Sequence, residues 1–145
     1  MLSFDRPSAP GVIRRLTGMC YEFLIILALL AVTLLLPHLL IGAFTHYLAT
    51  PFFLWVHLFL VLLFYFVWFW SNGRQTLAMK TWRIRITTTS GQPVKPPQAL
   101  LRYLLCWPSL LAGGIGIVWA AIDRDRQFLH DRLAGTRLVE QQLPK

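Results

Sequence analysis

The chain has 145 residues, enough for one domain, taken here as residues 1–145. It is 56% hydrophobic and only 14% charged, whereas a typical soluble domain has about 25% charged residues. This deficit excludes an ordinary water-soluble protein and indicates a surface that faces lipid. The net charge of +8 would suit nucleic acid or an anionic membrane surface. Because the basic residues flank apolar runs, we expect the membrane and no nucleic acid.

The chain begins with a polar arm and a long apolar segment. The arm, residues 1–13, contains two prolines. The apolar segment covers about residues 16–44, and crossing a bilayer takes about 20 residues. We therefore expect a transmembrane helix that begins near Val12 and that Pro37 kinks near its outer end.

A second apolar segment, residues 52–70, follows a short uncharged turn at residues 45–51. No Asp, Glu, Lys or Arg occurs from Phe23 through Gly73, so the two segments predict two full membrane crossings. The aromatic side chains near the two ends of the second segment resemble the belts found at membrane interfaces: Trp55, Tyr65, Trp68 and Trp70.

The rest of the chain combines a basic loop with a third apolar segment. Residues 74–102 contain six Lys or Arg residues and no acid. Within them, TWRIRITTT alternates and is rich in β-branched residues, which predicts a strand, and LAGTRLVEQ near the C-terminus is a candidate partner strand. The third apolar segment, residues 103–122, is interrupted by Pro108 and by the glycines of 113–116.

The positions of Lys and Arg predict the orientation in the membrane. The N-terminal arm and the 74–102 loop are both basic and should be cytoplasmic. A third full crossing would place the C-terminal tail outside, although the tail is also basic and contains the candidate partner strand. A re-entrant hairpin would keep the tail inside. Both arrangements remain open, and we favour the hairpin.

Glu22 is the first candidate functional residue, because it is the only acid between Asp5 and Asp123 and lies at the edge of an apolar run. Arg15 lies two helical turns earlier, about 10 Å away on the same face. A carboxylate in a membrane segment needs a partner or retains its proton, and Arg102 is the best-placed partner from another helix. Glu22 could therefore be a proton or cation site, or one half of a structural ion pair.

Other chemistry has little support in the sequence. Three histidines fall near the predicted outer face, at His38, His46 and His57, but they lack the paired spacing of metal motifs. No phosphate-binding loop, nucleophile elbow or zinc-protease motif occurs. We therefore expect no metal, no cofactor and no enzymatic activity.

Three stretches resemble the RDD family of small membrane proteins: IRRLTGMCYEFLII, GRQTLAMKTWRIRITTTSGQPV followed by ALLRYL, and FLHDRLAGTRLV. The resemblance places the family arginine at Arg15 and the second family aspartate at Asp131. At the first aspartate position this chain has Glu22, and Ala78 replaces a usual glycine. The family's function is regarded as unknown, with transport suggested, and the resemblance implies a prokaryotic inner membrane.

These observations predict an all-α polytopic membrane protein with two full transmembrane helices, a third broken segment that is re-entrant or spanning, and a small cytoplasmic β element. The predicted functional cluster is Arg15, Glu22, Arg102 and Asp131. The molecular function stays open between ion or small-solute transport, with a membrane-embedded carboxylate, and a scaffold or assembly partner whose buried charges are structural. The expected partners are the lipid bilayer and either further copies of the chain or another membrane protein.

Overall fold

The computed structural model describes residues 10–46, 49–111, 118–119, 122 and 127–141. Helices dominate, and two short strands lie far apart in the sequence. In chain order the elements are α1 (Val12–Leu30), a π-helical segment (Ala31–Leu35), α2 (Leu36–Thr45), α3 (Pro51–Trp70), α4 (Leu77–Thr81), β1 (Ile84–Thr88), α5 (Pro96–Leu111), α6 (Leu129–Leu133) and β2 (Thr136–Glu140).

The first apolar segment is helical throughout, and its expected distortion takes the form of a π-helical turn. Proline lacks an N–H and its ring crowds the carbonyl four residues earlier, which for Pro37 is that of Thr33. The π-helical segment contains Thr33 and ends two residues before Pro37. Within it the Thr33 hydroxyl donates to the Leu29 carbonyl at 2.7 Å. The helix therefore absorbs the proline without ending.

Two helical stretches are long and apolar enough to cross a membrane, Ile13–Thr45 and Pro51–Trp70. Their most apolar windows have no buried residues, so the side chains face outward where lipid would cover them. Pro51 starts α3 in the first turn, where a missing N–H costs nothing. These stretches match the two predicted segments.

The two predicted strands pair as a two-stranded antiparallel sheet, which confirms the expected pairing. Ile84 lies opposite Glu140, and Thr88 lies opposite Thr136. The turn that follows β1 uses Gly91 at a φ of +84°, a conformation that glycine adopts without steric cost. Residues 84–88 and 136–140 therefore lie together, although 47 residues separate the two strands.

A small core forms where the end of α3, the sheet and α5 meet. Its buried members are Trp70, Ile86, Val94, Ala99 and Tyr103. The Tyr103 hydroxyl donates to the Phe59 carbonyl at 2.9 Å, which ties α5 to α3. Trp70 is only 7% exposed, so it belongs to this core and the prediction that it lies in an interfacial belt is wrong.

Helix α1 meets the sheet at Gly18. A Cβ atom at this position would lie 3.6 Å from both the Ile84 and the Trp82 side chains, so the helix backbone approaches the strand closely. Arg14 forms an ion pair with Glu140, which joins α1 to β2 at a partly exposed site. The first helix is thus held against the sheet by packing and by one charge pair.

The helix that contains the start of the third apolar segment begins before the segment itself. Helix α5 starts at Pro96, and Arg102 lies within it and not at its beginning. Pro108 is inside the helix and does not end it. The predicted break at residues 113–116 lies outside the described residues. The helix starts early because Ala99 and Tyr103, one turn apart, both pack into the core.

Candidate functional site

A cavity of about 300 Å³ lies between α1, the end of α3, α4, both strands, α5 and α6. Most of its lining is apolar, and four of the lining side chains are titratable groups of interest. These four are Arg15, Glu22, Arg102 and His130. Three of the four residues of the predicted cluster therefore share one cavity, and the fourth, Asp131, does not line it.

Glu22 is bound by two hydroxyl groups. The Tyr65 hydroxyl donates to Glu22 Oε1 at 2.7 Å, and the Thr76 hydroxyl donates to Glu22 Oε2 at 2.5 Å. Among the described residues, no Lys, Arg or His nitrogen lies within 4.0 Å of this carboxylate. The expectation that Arg102 pairs with Glu22 is therefore wrong.

Local structure explains the position of Thr76. Thr76 is the N-cap of α4, and its hydroxyl oxygen accepts a hydrogen bond from the Met79 backbone N–H at 3.2 Å. The hydroxyl proton is thereby left to be donated to Glu22. Thr76 is fully buried. One side chain thus caps a helix and binds the carboxylate, so the short α4 helix and Glu22 depend on each other.

Arg102 pairs instead with Asp131. Arg102 Nε lies 2.5 Å from Asp131 Oδ1, and both side chains are at least 95% buried. The Thr136 hydroxyl donates to the same carboxylate oxygen at 3.2 Å, and the Arg102 guanidinium lies 4.1 Å from the centre of the Trp70 ring. This pair joins α5 to α6 and to the start of β2. Asp131 lies 29 residues after Arg102 in the sequence, and the two meet because α6 packs against α5.

Arg15 of α1 also lines the cavity and is also buried, at 4% exposure. Its Nε donates to the Pro10 carbonyl at 2.9 Å, and its guanidinium lies 5.7 Å from the centre of the Phe128 ring. Phe128 in turn stacks on His130 with ring centres 5.5 Å apart. Arg15 therefore helps to hold the segment before α6 against α1.

His130 is a cavity residue that the sequence analysis did not select. Its Nδ1 lies 3.4 Å from the Ser109 hydroxyl, and its Nε2 lies 3.9 Å from Asp131 Oδ1. Burial lowers the pKa of His130 from 6.5 to about 4, against the opposing effect of Asp131. The adjacency of His130 and Asp131 was visible in the sequence, but the contact with Ser109 depends on how α5 and α6 pack.

Ser109, His130 and Asp131 have the residue types of a hydrolase triad, but their arrangement does not favour catalysis. Asp131 Oδ1 is already bound by Arg102 and by Thr136, and Ser109 is not among the cavity-lining residues. A nucleophile needs access to its substrate and a base within hydrogen-bond reach. The contact is better explained as the packing of α6 against α5.

The histidines on the other half of the molecule do not form a larger site. His38 and His57 have ring centres 5.3 Å apart, and His38 Nδ1 lies 2.7 Å from the Leu34 carbonyl. His46 ends α2 with a φ of +56°. In the part of the chain that the structure describes, no three His, Cys, Asp or Glu side chains gather as metal ligands would.

The sequence model of the RDD family matches residues 9–135. The chain belongs to the RDD family. No curated protein and no solved structure matches it. The RDD match, together with the two long apolar helices, makes this a membrane protein. The match includes every cavity-lining residue except Leu138, so the RDD region contains nearly all of the cavity and ends just before β2.

The buried pair of this RDD protein should dominate its stability. Removing one partner of a buried ion pair leaves an uncompensated charge and costs about 3–5 kcal/mol, so we expect Asp131→Asn to lower the free energy of unfolding by that amount in detergent. Arg14→Gln is the matched control. Because Arg14 and Glu140 are about a third exposed, its loss should cost about 1 kcal/mol or less.

A double-mutant cycle separates the two possible partners of Arg102. The coupling energy between Arg102 and Asp131 should exceed about 1 kcal/mol, whereas that between Arg102 and Glu22 should stay near zero, within about 0.5 kcal/mol. Circular dichroism during chemical unfolding would provide the free energies. A strong Arg102–Glu22 coupling with a weak Arg102–Asp131 coupling would contradict the contacts described above.

His130 should make the protein less stable in mild acid. Because its folded-state pKa is lowered to about 4, the unfolded chain takes up a proton below pH 6.5 that the folded protein does not. Stability should be lost between pH 6.5 and about 4, by on the order of 3 kcal/mol over the whole window. Thermal unfolding of the wild type and of His130→Asn, at several pH values in this window, measures this loss of stability. An equal loss in both proteins would assign the effect to other groups.

Proposed function

We propose that this RDD protein takes part in the transport of protons or small cations across the membrane, with Glu22 as the carboxylate that binds them. The supporting observation is the pair of hydroxyl groups from Tyr65 and Thr76 that hold Glu22 beside the cavity. A carboxylate at the edge of an apolar membrane segment is costly to maintain, and this one has neutral partners.

The hydroxyl partners suit a carboxylate that changes its protonation state. A hydroxyl group both donates and accepts hydrogen bonds. It can donate to a carboxylate and, after rotation, accept from a carboxylic acid. An arginine partner can only donate, and it would hold the glutamate in the charged form. Glu22 can thus gain or lose a proton, or exchange it for a cation, while its hydrogen bonds remain satisfied.

The other members of the predicted cluster have supporting roles in this proposal. Arg15 and Arg102 line the same cavity as Glu22, so their charges act on whatever approaches the carboxylate. Asp131 holds Arg102 in place through their ion pair. Two long helices do not enclose a pathway, so transport requires further copies of the chain or another membrane protein. The proposal includes no catalytic step.

We further propose an inner-membrane location with the N-terminal arm, the 74–102 loop and the C-terminal strand in the cytoplasm. The paired strands β1 and β2 support it, because a hydrogen-bonded sheet cannot form between segments on opposite sides of a bilayer. The third apolar segment would then enter and leave on one side. The basic 74–102 loop favours the cytoplasmic side.

The alternative is a scaffold or assembly partner for another membrane protein. The Arg102–Asp131 pair and the core around Trp70 and Tyr103 support it, because they build a rigid unit at one end of the molecule. Under this alternative the hydroxyl groups around Glu22 only stabilise α4 against α1. The same Glu22 variants distinguish the two functions.

A topology reporter tests the arrangement of the tail. A phosphatase fused after Lys145 should be inactive, because it would remain in the cytoplasm. The same enzyme inserted after Thr50, in the turn expected to lie outside, should be active. Activity at both positions would rule out the hairpin.

Glu22→Gln should abolish pH-dependent ion flux in inverted membrane vesicles while leaving expression and folding intact, because glutamine keeps the hydrogen-bonding shape but binds no proton. Glu22→Asp is the matched control, since it restores a titratable carboxyl one methylene shorter and should recover part of the flux. Full flux in Glu22→Gln would refute the transport mechanism. A loss of assembly without a loss of flux would favour the scaffold.

A further inference from the structure

The cavity combines an apolar wall with a buried guanidinium that is not fully satisfied. Arg102 is only 4% exposed and lines the cavity. Its Nε is bound by Asp131, but its Nη1 is buried without a hydrogen-bond partner among the described residues. Leaving a buried donor unpaired is unfavourable, and more so for a charged group. Nη1 does not itself border the open space of the cavity, so an oxygen acceptor there would reach it once the guanidinium rotates toward the cavity.

The other residues that line the cavity indicate the chemistry of the rest of the ligand. Phe23, Ile26, Phe66 and Met79 contribute to an apolar wall. The volume of about 300 Å³ lies at the lower end of the range of ligand pockets, roughly 300–1,000 Å³. Phe23 is 59% exposed on the α1 surface. The cavity therefore opens where α1 faces lipid, and a hydrocarbon chain can enter from there.

The charges around the cavity favour an anionic head group. Two arginines, Arg15 and Arg102, line it against one carboxylate, Glu22. His130 also lines it and is neutral near pH 7, because its pKa is lowered to about 4. Asp131 approaches Arg102 at Nε and does not line the cavity. A cationic head group would face both guanidinium groups.

We propose that this cavity binds a single-chain amphiphile whose anionic head group, a carboxylate or a phosphate, accepts hydrogen bonds from Arg102. The chain lies along Phe23 and Ile26 and leaves the cavity toward the bilayer. This inference goes beyond the proposed transport function and does not require Glu22 to exchange a proton. Two sources share this chemistry, a free fatty acid and a lysophospholipid.

Quenching of tryptophan fluorescence by a brominated chain tests the proposal in nanodiscs. Trp70 lines the cavity, while Trp55, Trp68 and Trp119 are exposed and would be replaced by phenylalanine. Dibromostearate should then quench the remaining fluorescence saturably. The neutral dibromostearyl alcohol should bind at least about tenfold more weakly, since a charge-assisted hydrogen bond contributes about 1.5–3 kcal/mol.

A brominated lysophosphatidylglycerol reports whether phosphate serves as well as carboxylate; saturable binding of either anion supports the site.

Two pairs of substitutions test the wall of the cavity. Ile26→Phe with Cys106→Phe places two rings in the cavity and should weaken binding of dibromostearate by about tenfold or more. The matched control, Leu24→Phe with Leu104→Phe, adds the same rings at exposed positions of the same helices and should leave binding unchanged.

A further variant tests the head-group contact. Arg102→Lys keeps a positive charge for Asp131 but lacks the guanidinium donors, and should weaken binding of the acid by about tenfold without changing the weak binding of the alcohol. Glu22→Gln should still bind dibromostearate, which separates this site from the transport mechanism. Non-saturable quenching, equal affinity for acid and alcohol, or wild-type affinity in both the double phenylalanine variant and Arg102→Lys would overturn the proposal.

Discussion

The buried ion pair between Arg102 and Asp131 is the contact on which the sheet-containing end of the molecule depends. Both charges are withdrawn from solvent, so neither could be maintained without the other. The pair fixes α6 against α5 and brings Thr136, the first residue of β2, to the same carboxylate. The sheet, the core around Trp70 and one wall of the cavity all follow from that connection.

The pairing of Arg102 with Asp131 also changes the role of Glu22. Once the arginine is occupied, the carboxylate that lies at the edge of the apolar region is held by neutral hydroxyl groups of Tyr65 and Thr76. An arginine partner could only donate hydrogen bonds to Glu22, whereas hydroxyl groups can both donate and accept. The ion pair thus engages Arg102, and Glu22 is left to its hydroxyl partners.

The cavity is the space left where the sheet, α4, α5 and α6 pack against the apolar helices α1 and α3. Helix α1 approaches the sheet closely at Gly18, and residues further along it, Glu22 and Phe23, line the cavity. Apolar residues line the space because α1 and α3 are apolar. Arginines line it because Arg102 and Arg15 hold α6 and the segment before it in place. The cavity therefore combines apolar and basic side chains, which is the combination that an anionic amphiphile would need.

Much of the fold was predictable from the sequence. The charge-free stretch after Glu22 and the alternating, β-branched TWRIRITTT reflect local rules of burial and period, so both long helices and the pairing of β1 with β2 were expected. The partners of Glu22 and Arg102 were not, because a charge in the sequence shows that a partner is needed but not which one.

Family resemblance singled out Asp131. Tertiary packing alone decided its bond to Arg102, the burial of Trp70 and the contact between Ser109 and His130. The sequence by itself indicated a membrane protein and singled out Glu22 as the one acid between Asp5 and Asp123. The tertiary structure decided which groups satisfy that charge, because hydrogen bonds between side chains depend on distances of a few tenths of an ångström that only packing sets.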